Sequence, residues 1–208
     1  MCRFKAAINA RLFIVVLITA TTALFAAERF AWDWHKVESP RETLSQVPLS
    51  EGERIALTAA LSAEFNTPIS NLFSAADEGA DIGIKLLDLN GDHTPEIIAQ
   101  ARGEFWCGAT GNCPLLVFRK SGKIYESMLP TGEYYEYQGF TVMQQRSGGY
   151  RNLIFNQHES STRQAVLVYK YRDGKYRPAD CYEASWAVIG DEDAIAKEPR
   201  MTPCRELH

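Results

Sequence analysis

Residues 82–101 read IGIKLLDLNGDHTPEIIAQA, and this stretch indicates the kind of fold that the chain adopts. A hydrophobic run, Ile82 to Leu87, enters an acidic turn, and a second run, Ile97 to Ala99, leaves it. Short apolar runs separated by a tight polar turn are typical of paired strands. The stretch therefore predicts a strand, an acidic turn and a second strand.

The turn itself carries oxygen-bearing side chains at its positions 1, 3, 5 and 9, with a glycine at position 4. A hard cation such as Ca²⁺ takes about six to eight oxygen ligands, and an acidic turn brings several together from one segment. The turn therefore predicts a Ca²⁺ site. A second interpretation stays open, in which the turn is an Asx-turn hairpin whose acidic side chains are only solvated.

This turn resembles the calcium loop of FG-GAP and related integrin-type repeats, in which D-x-[DN]-x-D-G-x-x-D joins two strands. The sequence departs from that pattern twice, since His93 replaces the usual glycine and Glu96 replaces aspartate. An EF-hand is excluded, because position 12 of the loop is Ala99. The resemblance implies four side-chain ligands and one backbone carbonyl, which by position are Asp88, Asn90, Asp92, Glu96 and the carbonyl of Thr94.

A longer resemblance covers the same turn, the segment Trp106-Cys107-Gly108 with Cys113, and the apolar strand and aromatic hairpin that follow. In this order, these features resemble a group of uncharacterised exported bacterial proteins. The resemblance supplies no activity that could be carried over to this chain.

The N-terminal segment is typical of a secretory signal peptide, which we place at residues 1–27. Three basic residues precede an apolar run from Leu12 to Phe25, which is shorter than the about 20 residues that a transmembrane helix needs. Small residues follow the run, but a bulky residue stands three positions before the cleavage site. An uncleaved membrane anchor is therefore the alternative. The segment therefore predicts an exported protein, which is periplasmic or secreted if the signal is cleaved and membrane-anchored by residues 12–27 if it is not.

The remaining chain divides into a linker or arm at residues 28–49 and a single domain at residues 50–208. Trp32 and Trp34 lie in the arm, where they either pack on the domain or form a membrane-interface belt if the signal is uncleaved. Because the signal carries three basic residues and no acidic one, its removal changes the formal net charge from −4 to −7. An acidic surface argues against nucleic acid and anionic membrane as partners.

Four cysteines remain after the signal, and an even number in an exported chain favours disulfides. We predict the pairs Cys107–Cys113 and Cys181–Cys204, because each closes a local loop. Four cysteines allow three pairings, so two others stay open. The alternative for Cys107 and Cys113 is a zinc half-site, which lacks a second close Cys/His pair.

The pattern along the domain predicts an α+β fold, with an N-terminal helix packed on a mostly antiparallel β meander. Ser50 and Glu53 form a capping box for a helix ending near Phe65. From Ile82 onward, short apolar runs alternate with turn signals such as Asp173-Gly174. An echo between residues 115–123 and 166–175 indicates either two related turn-strand-loop-hairpin units or a coincidental likeness of hairpins.

Signals of catalysis are weak in this sequence. Ser160 and Ser161 lie near His158, but there is no Gly-x-Ser-x-Gly elbow and no metal-ligand spacing among the histidines. Phe105 and Trp106 lie on a glycine-rich loop beside a predicted disulfide, where rigid aromatic side chains would bind a partner. The alternative is that Trp106 covers the disulfide.

The sequence therefore predicts an exported, non-catalytic binding module with a calcium-binding turn and a protein or glycan partner. The alternatives are a periplasmic inhibitor of a secreted enzyme and a hydrolase that uses His158.

Overall fold

The computed structural model describes residues 30, 32–66, 82–103, 106–130, 136–189 and 194–204. Residues 31–208 form one compact unit. The predicted signal peptide at residues 1–27 lies outside the described ranges. Among the residues described, none of the helices combines the length and the apolar character that crossing a lipid bilayer requires.

One α-helix and two five-stranded antiparallel sheets make up most of the described structure, as the predicted α+β class requires. The first sheet has the order β1-β2-β3-β4, with β5 paired to β3. Its strands are β1 (Ile82–Leu87), β2 (Glu96–Ala101), β3 (Cys113–Ser121), β4 (Ile124–Ser127) and β5 (Glu136–Tyr137).

The second sheet is a longer meander with the order β12-β9-β8-β7-β6. A separate two-stranded ribbon, β10 with β11, leads into its last strand. The strands are β6 (Gly139–Ser147), β7 (Tyr150–Ser160), β8 (Arg163–Arg172), β9 (Lys175–Ser185), β10 (Val188–Ile189), β11 (Ala194–Ile195) and β12 (Arg200–Pro203).

The helix α1 (Glu51–Glu64) begins and ends where its sequence predicts. Ser50 caps it, and Glu53 completes the capping box by accepting from the Ser50 backbone N–H. The Glu53 carboxylate also accepts from Lys120 of β3 at 2.7 Å. The bonds from Lys120 and Ser50 lower the pKa of Glu53 to about 2. The helix is thereby fixed to the first sheet at its N-terminal end.

The first sheet lies between two apolar layers, and every residue of β2 is buried. Ile97 and Ala99 pack with Leu57 and Leu61 of α1 in one core. Ile98 points the opposite way, into a second core shared with the second sheet. Side chains alternate between the two faces of a strand, so an apolar strand such as β2 serves both layers. The order of layers is helix, first sheet, second sheet.

Each sheet contains a four-stranded up-and-down meander, β1 to β4 and β6 to β9. The two segments with similar sequences occupy equivalent positions in the two meanders. Residues 115–123 cover most of β3 and the turn to β4, and residues 166–175 cover most of β8, the turn and the first residue of β9. The acidic turn joins the first two strands of the first meander, and the Gly148-Gly149 turn joins the first two strands of the second.

The segment before α1 runs along the open edges of both sheets. Glu38 pairs with Phe140 of β6, and Glu42 pairs with Ile84 of β1. The segment approaches β1 and β6 closely at two glycines. A Cβ atom at Gly83 would clash with the Pro40 carbonyl oxygen, and one at Gly139 would clash with the Glu38 carbonyl oxygen. We call residues 32–49 the edge arm.

Both predicted disulfides are present. The Cα atoms are 4.2 Å apart in Cys107–Cys113 and 5.3 Å apart in Cys181–Cys204. The second bridge ties the C-terminal strand β12 to β9, where Cys204 N also donates to the Cys181 carbonyl at 2.9 Å.

Candidate functional site

The acidic turn connects β1 to β2, and Asp88 organises its first half. Asp88 Oδ1 accepts from the backbone N–H of Gly91 at 2.6 Å, and Oδ2 accepts from that of His93 at 3.1 Å. These bonds, that of Gly91 first, lower the pKa of Asp88. His93 has a φ of 67°, the left-handed conformation in which the calcium-loop pattern places glycine. The histidine therefore has the backbone conformation that glycine would have at this position.

Asn90 and Asp92 form the second half of the turn. Asn90 Oδ1 accepts from Asp92 N at 2.9 Å, while its Nδ2 donates to Asp92 Oδ2 at 2.8 Å. Asp92 Oδ1 accepts from Thr94 N at 2.7 Å. The bond from Thr94, followed by that from Asn90, lowers the pKa of Asp92. Four of the five predicted ligand residues therefore lie in one hydrogen-bonded turn on the surface.

Glu96, the fifth, differs from the others because its side chain is only 3% exposed. Its Oε2 accepts from the backbone N–H of Leu89 at 2.8 Å. Burial raises the pKa of Glu96 to about 7, and the negative charges of Asp92 and Asp88 act in the same direction. Burial and the two neighbouring negative charges therefore both favour the neutral form of this carboxyl group.

The second sheet holds the turn through the Leu89 carbonyl. This oxygen accepts from Arg151 N at 2.8 Å and from Arg146 Nη1 at 3.0 Å. Asn90 Nδ2 also donates to the Tyr150 hydroxyl at 3.2 Å. The acidic turn, which joins two strands of the first sheet, is therefore also attached to the β6–β7 hairpin of the second sheet.

The side-chain oxygens of the turn are of the type that Ca²⁺ prefers as ligands, because they belong to carboxylate and amide groups. Carboxylate oxygens that accept one N–H bond retain acceptor capacity for a cation. Within the described ranges, no three His, Cys, Asp or Glu side chains are placed as a ready metal site. Binding of Ca²⁺ would therefore depend on Asn90 and backbone carbonyls, and on ionisation of Glu96.

The loop closed by Cys107 and Cys113 packs inward at Trp106. The indole ring lies 4.8 Å from the Phe65 ring and contacts the core between α1 and the first sheet. Phe105 lies outside the described residues. A partner surface at Phe105 and Trp106 stays a prediction, and much of the Trp106 side chain is used for packing.

His158 fastens this disulfide loop to β7. Its backbone N–H donates to Asn112 Oδ1 at 2.8 Å, and its carbonyl accepts from Asn112 Nδ2 at 2.9 Å. Its ring Nδ1 lies 2.8 Å from the Thr110 carbonyl oxygen. Ser160 Oγ accepts from the backbone N–H of Thr162 at 3.4 Å. The contacts of His158 are those of a structural clasp between the two sheets.

No protein-family model, curated protein or solved structure matches the chain.

Two clefts that the sequence does not reveal lie elsewhere on the surface. The first, the helix groove, is about 790 Å³ in volume and lies between α1 and the β3–β4 hairpin. Ile55 and Ile124 line it with 62% and 58% of their surface exposed. The Glu53–Lys120 ion pair stands at its rim.

The second, the tryptophan cleft, is about 530 Å³ in volume. Trp34 and Trp186 line it with their rings perpendicular and their centroids 6.0 Å apart. No sequence window contains this site, because its residues come from four separate segments. The remaining lining residues are His35, Ser161, Gln164, Ile195, Ala196, Lys197 and Glu198.

Proposed function

We propose that the protein is an exported, non-catalytic binding module whose acidic turn binds Ca²⁺. The observation that carries the binding function is the placement of its exposed large apolar side chains. Among the described residues, two of them line the helix groove, and three lie at the tryptophan cleft or on the ribbon beside it. Single apolar residues are normal on a surface, whereas groups of them at clefts mark interaction sites.

The hydrogen bonds of the acidic and histidine side chains that could take part in catalysis support the same proposal. Asp88 and Asp92 accept from backbone N–H groups, and the His158 ring bonds to a backbone carbonyl. A nucleophile and base in mutual contact would support the hydrolase alternative. The contacts observed are structural ones instead.

Two disulfides support export, because such bonds persist in oxidising compartments. The basic and apolar pattern of residues 1–27 is the second support. Sequencing of the N-terminus of the exported protein tests this part, and a start near Ala27 or Glu28 is expected.

In the proposed calcium site, the side chains of Asp88, Asn90, Asp92 and Glu96 and the carbonyl of Thr94 would hold the ion. Bound Ca²⁺ would supply positive charge to a turn in which three carboxyl groups sense one another. Its effect would be on stability, because the turn connects both sheets.

Thermal melting in EDTA and in millimolar Ca²⁺ tests the calcium site. At a Ca²⁺ concentration a hundredfold above the dissociation constant, binding adds about 2.7 kcal/mol to the free energy of unfolding. The wild type should therefore melt several degrees higher in Ca²⁺. Asp88→Asn and Asp92→Asn remove the charge, and with it one of the two acceptor oxygens, at nearly unchanged size, so they should lose this gain.

Asp173→Asn is the matched control, because Asp173 lies in the β8–β9 hairpin turn and also has a positive φ, of 49°. This variant should keep the full response to Ca²⁺. Equal melting temperatures of the wild type in both buffers would contradict the calcium site and leave a solvated Asx-turn hairpin.

Capture of partners from an envelope extract tests the binding function. Ile124→Glu alters the helix groove and Ile195→Glu alters the tryptophan cleft, so each variant should lose partners specific to its cleft. Capture of a secreted enzyme that the purified protein then inhibits would favour the inhibitor alternative. Turnover of an esterase, glycosidase or peptidase substrate, abolished by His158→Ala, would contradict a non-catalytic function.

A further inference from the structure

We infer that the tryptophan cleft binds a neutral glycan, through stacking on its indole rings and hydrogen bonds from Gln164. This inference rests on the proposed binding function and names a ligand class for one of its two clefts. The aromatic walls, an oriented amide donor and the balance of charge at the rim carry it.

The aromatic walls are held in a fixed geometry. The His35 ring stacks on Trp34 with the ring centroids 3.8 Å apart. Asp33 caps the short helical turn that carries both residues, and pairs with Lys36 at 2.9 Å. On the other side, the Trp186 backbone N–H donates to the Thr162 carbonyl at 2.9 Å. The cleft thus presents rigid aromatic surface, which loses little conformational entropy on binding.

A pyranose ring matches such walls because its two faces differ. One face carries C–H bonds, which pack against an aromatic ring and bury its apolar surface. The edge of the sugar carries hydroxyl groups, which need hydrogen-bond partners. A cleft for a sugar therefore combines aromatic walls with a few oriented polar groups.

Gln164 supplies an oriented polar group. Its Oε1 accepts from Asn156 Nδ2 at 3.1 Å, and Asn156 is only 1% exposed. Asn156 Nδ2 also donates to Gln138 Oε1 at 3.0 Å. The bond from Asn156 fixes the oxygen end of the Gln164 carboxamide, and Nε2 is the donor that this cleft-lining side chain can offer a ligand. An apolar peptide side chain would cover such a donor without pairing it, at a cost in binding free energy.

The rim of the cleft favours a neutral ligand. Lys197 and Glu198 are neighbours of opposite charge, and both line the cleft. Neither sign of charge dominates, so the cleft has no electrostatic preference for an anionic lipid or nucleic acid. The volume of about 530 Å³ lies within the range of small-molecule sites. A protein partner would need a much larger surface than this concavity, about 800 Å² on each side.

Calorimetric titration of the full exported chain tests the inference. The probes are chitobiose, cellobiose and maltose, with the apolar dye ANS as the contrasting ligand. At least one disaccharide should bind with a dissociation constant in the millimolar range. The intrinsic fluorescence should change with the same midpoint, because two of the four tryptophans line the cleft.

Variants assign the binding to the cleft. Trp186→Ala should weaken sugar binding at least tenfold, an estimate of about 1.4 kcal/mol for a lost stacking surface. Trp186→Phe should retain most of it. Gln164→Leu should weaken binding by about threefold to tenfold, the usual effect of one neutral hydrogen bond. Trp106→Phe is the control, since Trp106 packs on Phe65 away from the cleft.

Two results would overturn the inference. One is the absence of heat and fluorescence change with every disaccharide up to tens of millimolar, whether or not ANS binds. The other is unchanged sugar binding in a folded Trp186→Ala or Gln164→Leu variant. If sugars fail but cleft-dependent capture of a protein partner persists, the glycan inference falls while the proposed binding function stands. If both fail and no partner depends on the helix groove either, the proposed function falls as well.

Discussion

Glu96 shows at the scale of one residue how the acidic turn couples charge to folding. Its carboxyl group is buried, accepts from Leu89 N, and has a pKa raised to about 7. In the unfolded chain its pKa returns to the ordinary value of 4.5. The folded protein therefore binds a proton more tightly than the unfolded chain. By linkage, this contribution to stability is present in full below pH 4.5 and is lost as the pH rises through 7.

We predict that, in EDTA, Glu96→Gln removes this loss. The variant should equal the wild type below pH 4.5 and be more stable at pH 8, because glutamine stays neutral and can still accept from Leu89 N. Each pH unit between the two pKa values changes the free energy of unfolding by up to about 1.4 kcal/mol. Urea unfolding of both proteins at several pH values measures the difference.

Comparing the two proteins at each pH cancels the contributions of all other titrating groups, because both proteins share them. A difference in stability that does not change between pH 5 and 8 would contradict the prediction. A variant less stable than the wild type at pH 8 would show that the ionised carboxylate is favourable in the turn.

At this scale the sequence predicts residue types better than their orientation. Spacing places the oxygens of Asp88, Asn90 and Asp92 in one turn, and they do lie together. Glu96 has the same spacing signal, but it is also the first residue of β2, and strand alternation directs its side chain inward. His158 was ambiguous in sequence because its contact with Thr110 joins residues far apart in the chain.

At the scale of one element, the edge arm pairs with the edge strands β1 and β6 of the two sheets. The backbone of Glu38 exchanges hydrogen bonds with Phe140, and Ile84 N donates to the Glu42 carbonyl. Open edges of sheets expose unpaired backbone groups that promote association with other strands. The arm therefore covers one edge of each sheet and joins the two.

We predict that Gly139→Ala destabilises the protein by about 1–3 kcal/mol, the usual cost of forcing a methyl group into packed structure. The added Cβ would lie 2.6 Å from the Glu38 carbonyl oxygen and 2.8 Å from the Val37 side chain. Gly52→Ala is the matched control, because nothing lies within 4 Å of its Cβ position in α1. That variant should be unchanged or up to about 1 kcal/mol more stable.

Chemical denaturation of the two variants provides the measurement. If Gly139→Ala unfolds at the same denaturant concentration as the wild type, the arm does not pack on β6 in solution. Faster proteolysis within residues 32–49 should accompany the loss of stability.

Elements with local signals were predictable, and elements that depend on distant partners were not. The capping box and the Asp173-Gly174 turn fix α1 and the β8–β9 hairpin from within their own segments. The strand β9 begins directly after this turn signal but continues as far as Ser185. Its extension includes Pro178 and Asp180, poor strand formers that are held by pairing with β8.

For the whole molecule, the two disulfides act on loops of different length. Cys181–Cys204 spans 23 positions and Cys107–Cys113 spans 6. A crosslink stabilises mainly by restricting the unfolded chain, and more so for a longer loop. We predict that Cys181→Ser with Cys204→Ser costs about 3 kcal/mol, and that Cys107→Ser with Cys113→Ser costs about 2 kcal/mol.

Thermal melts of the two double variants beside the wild type measure this order. A larger loss of stability on removing Cys107–Cys113 would contradict the predicted order. It would indicate that the loop closed by this disulfide, together with Trp106, stabilises the protein through packing. A wild type that melts equally with and without reductant would contradict a stabilising role for both bridges.

The α+β fold class could be predicted from the sequence, but the packing of the helix and the two sheets against one another could not. Turn signals predicted antiparallel meanders, and the capped apolar helix predicted an α+β fold. Which faces meet depends on cores formed by residues from both sheets, such as Ile98 with Phe155 and Tyr169. The clefts likewise arise only when separate segments meet, so no local pattern marks them.

The two ends of the domain would respond differently to mechanical load. A pull at the N-terminal side acts on the edge arm, whose few backbone bonds to β1 and β6 would yield first. A pull at the C-terminal side reaches Cys204, where the covalent bridge passes the force to Cys181 in β9 and relieves the short strand β12. Tension between the ends would therefore peel the arm and uncover two sheet edges while the C-terminal side stays intact. The domain would fail directionally under tension, from its N-terminal side.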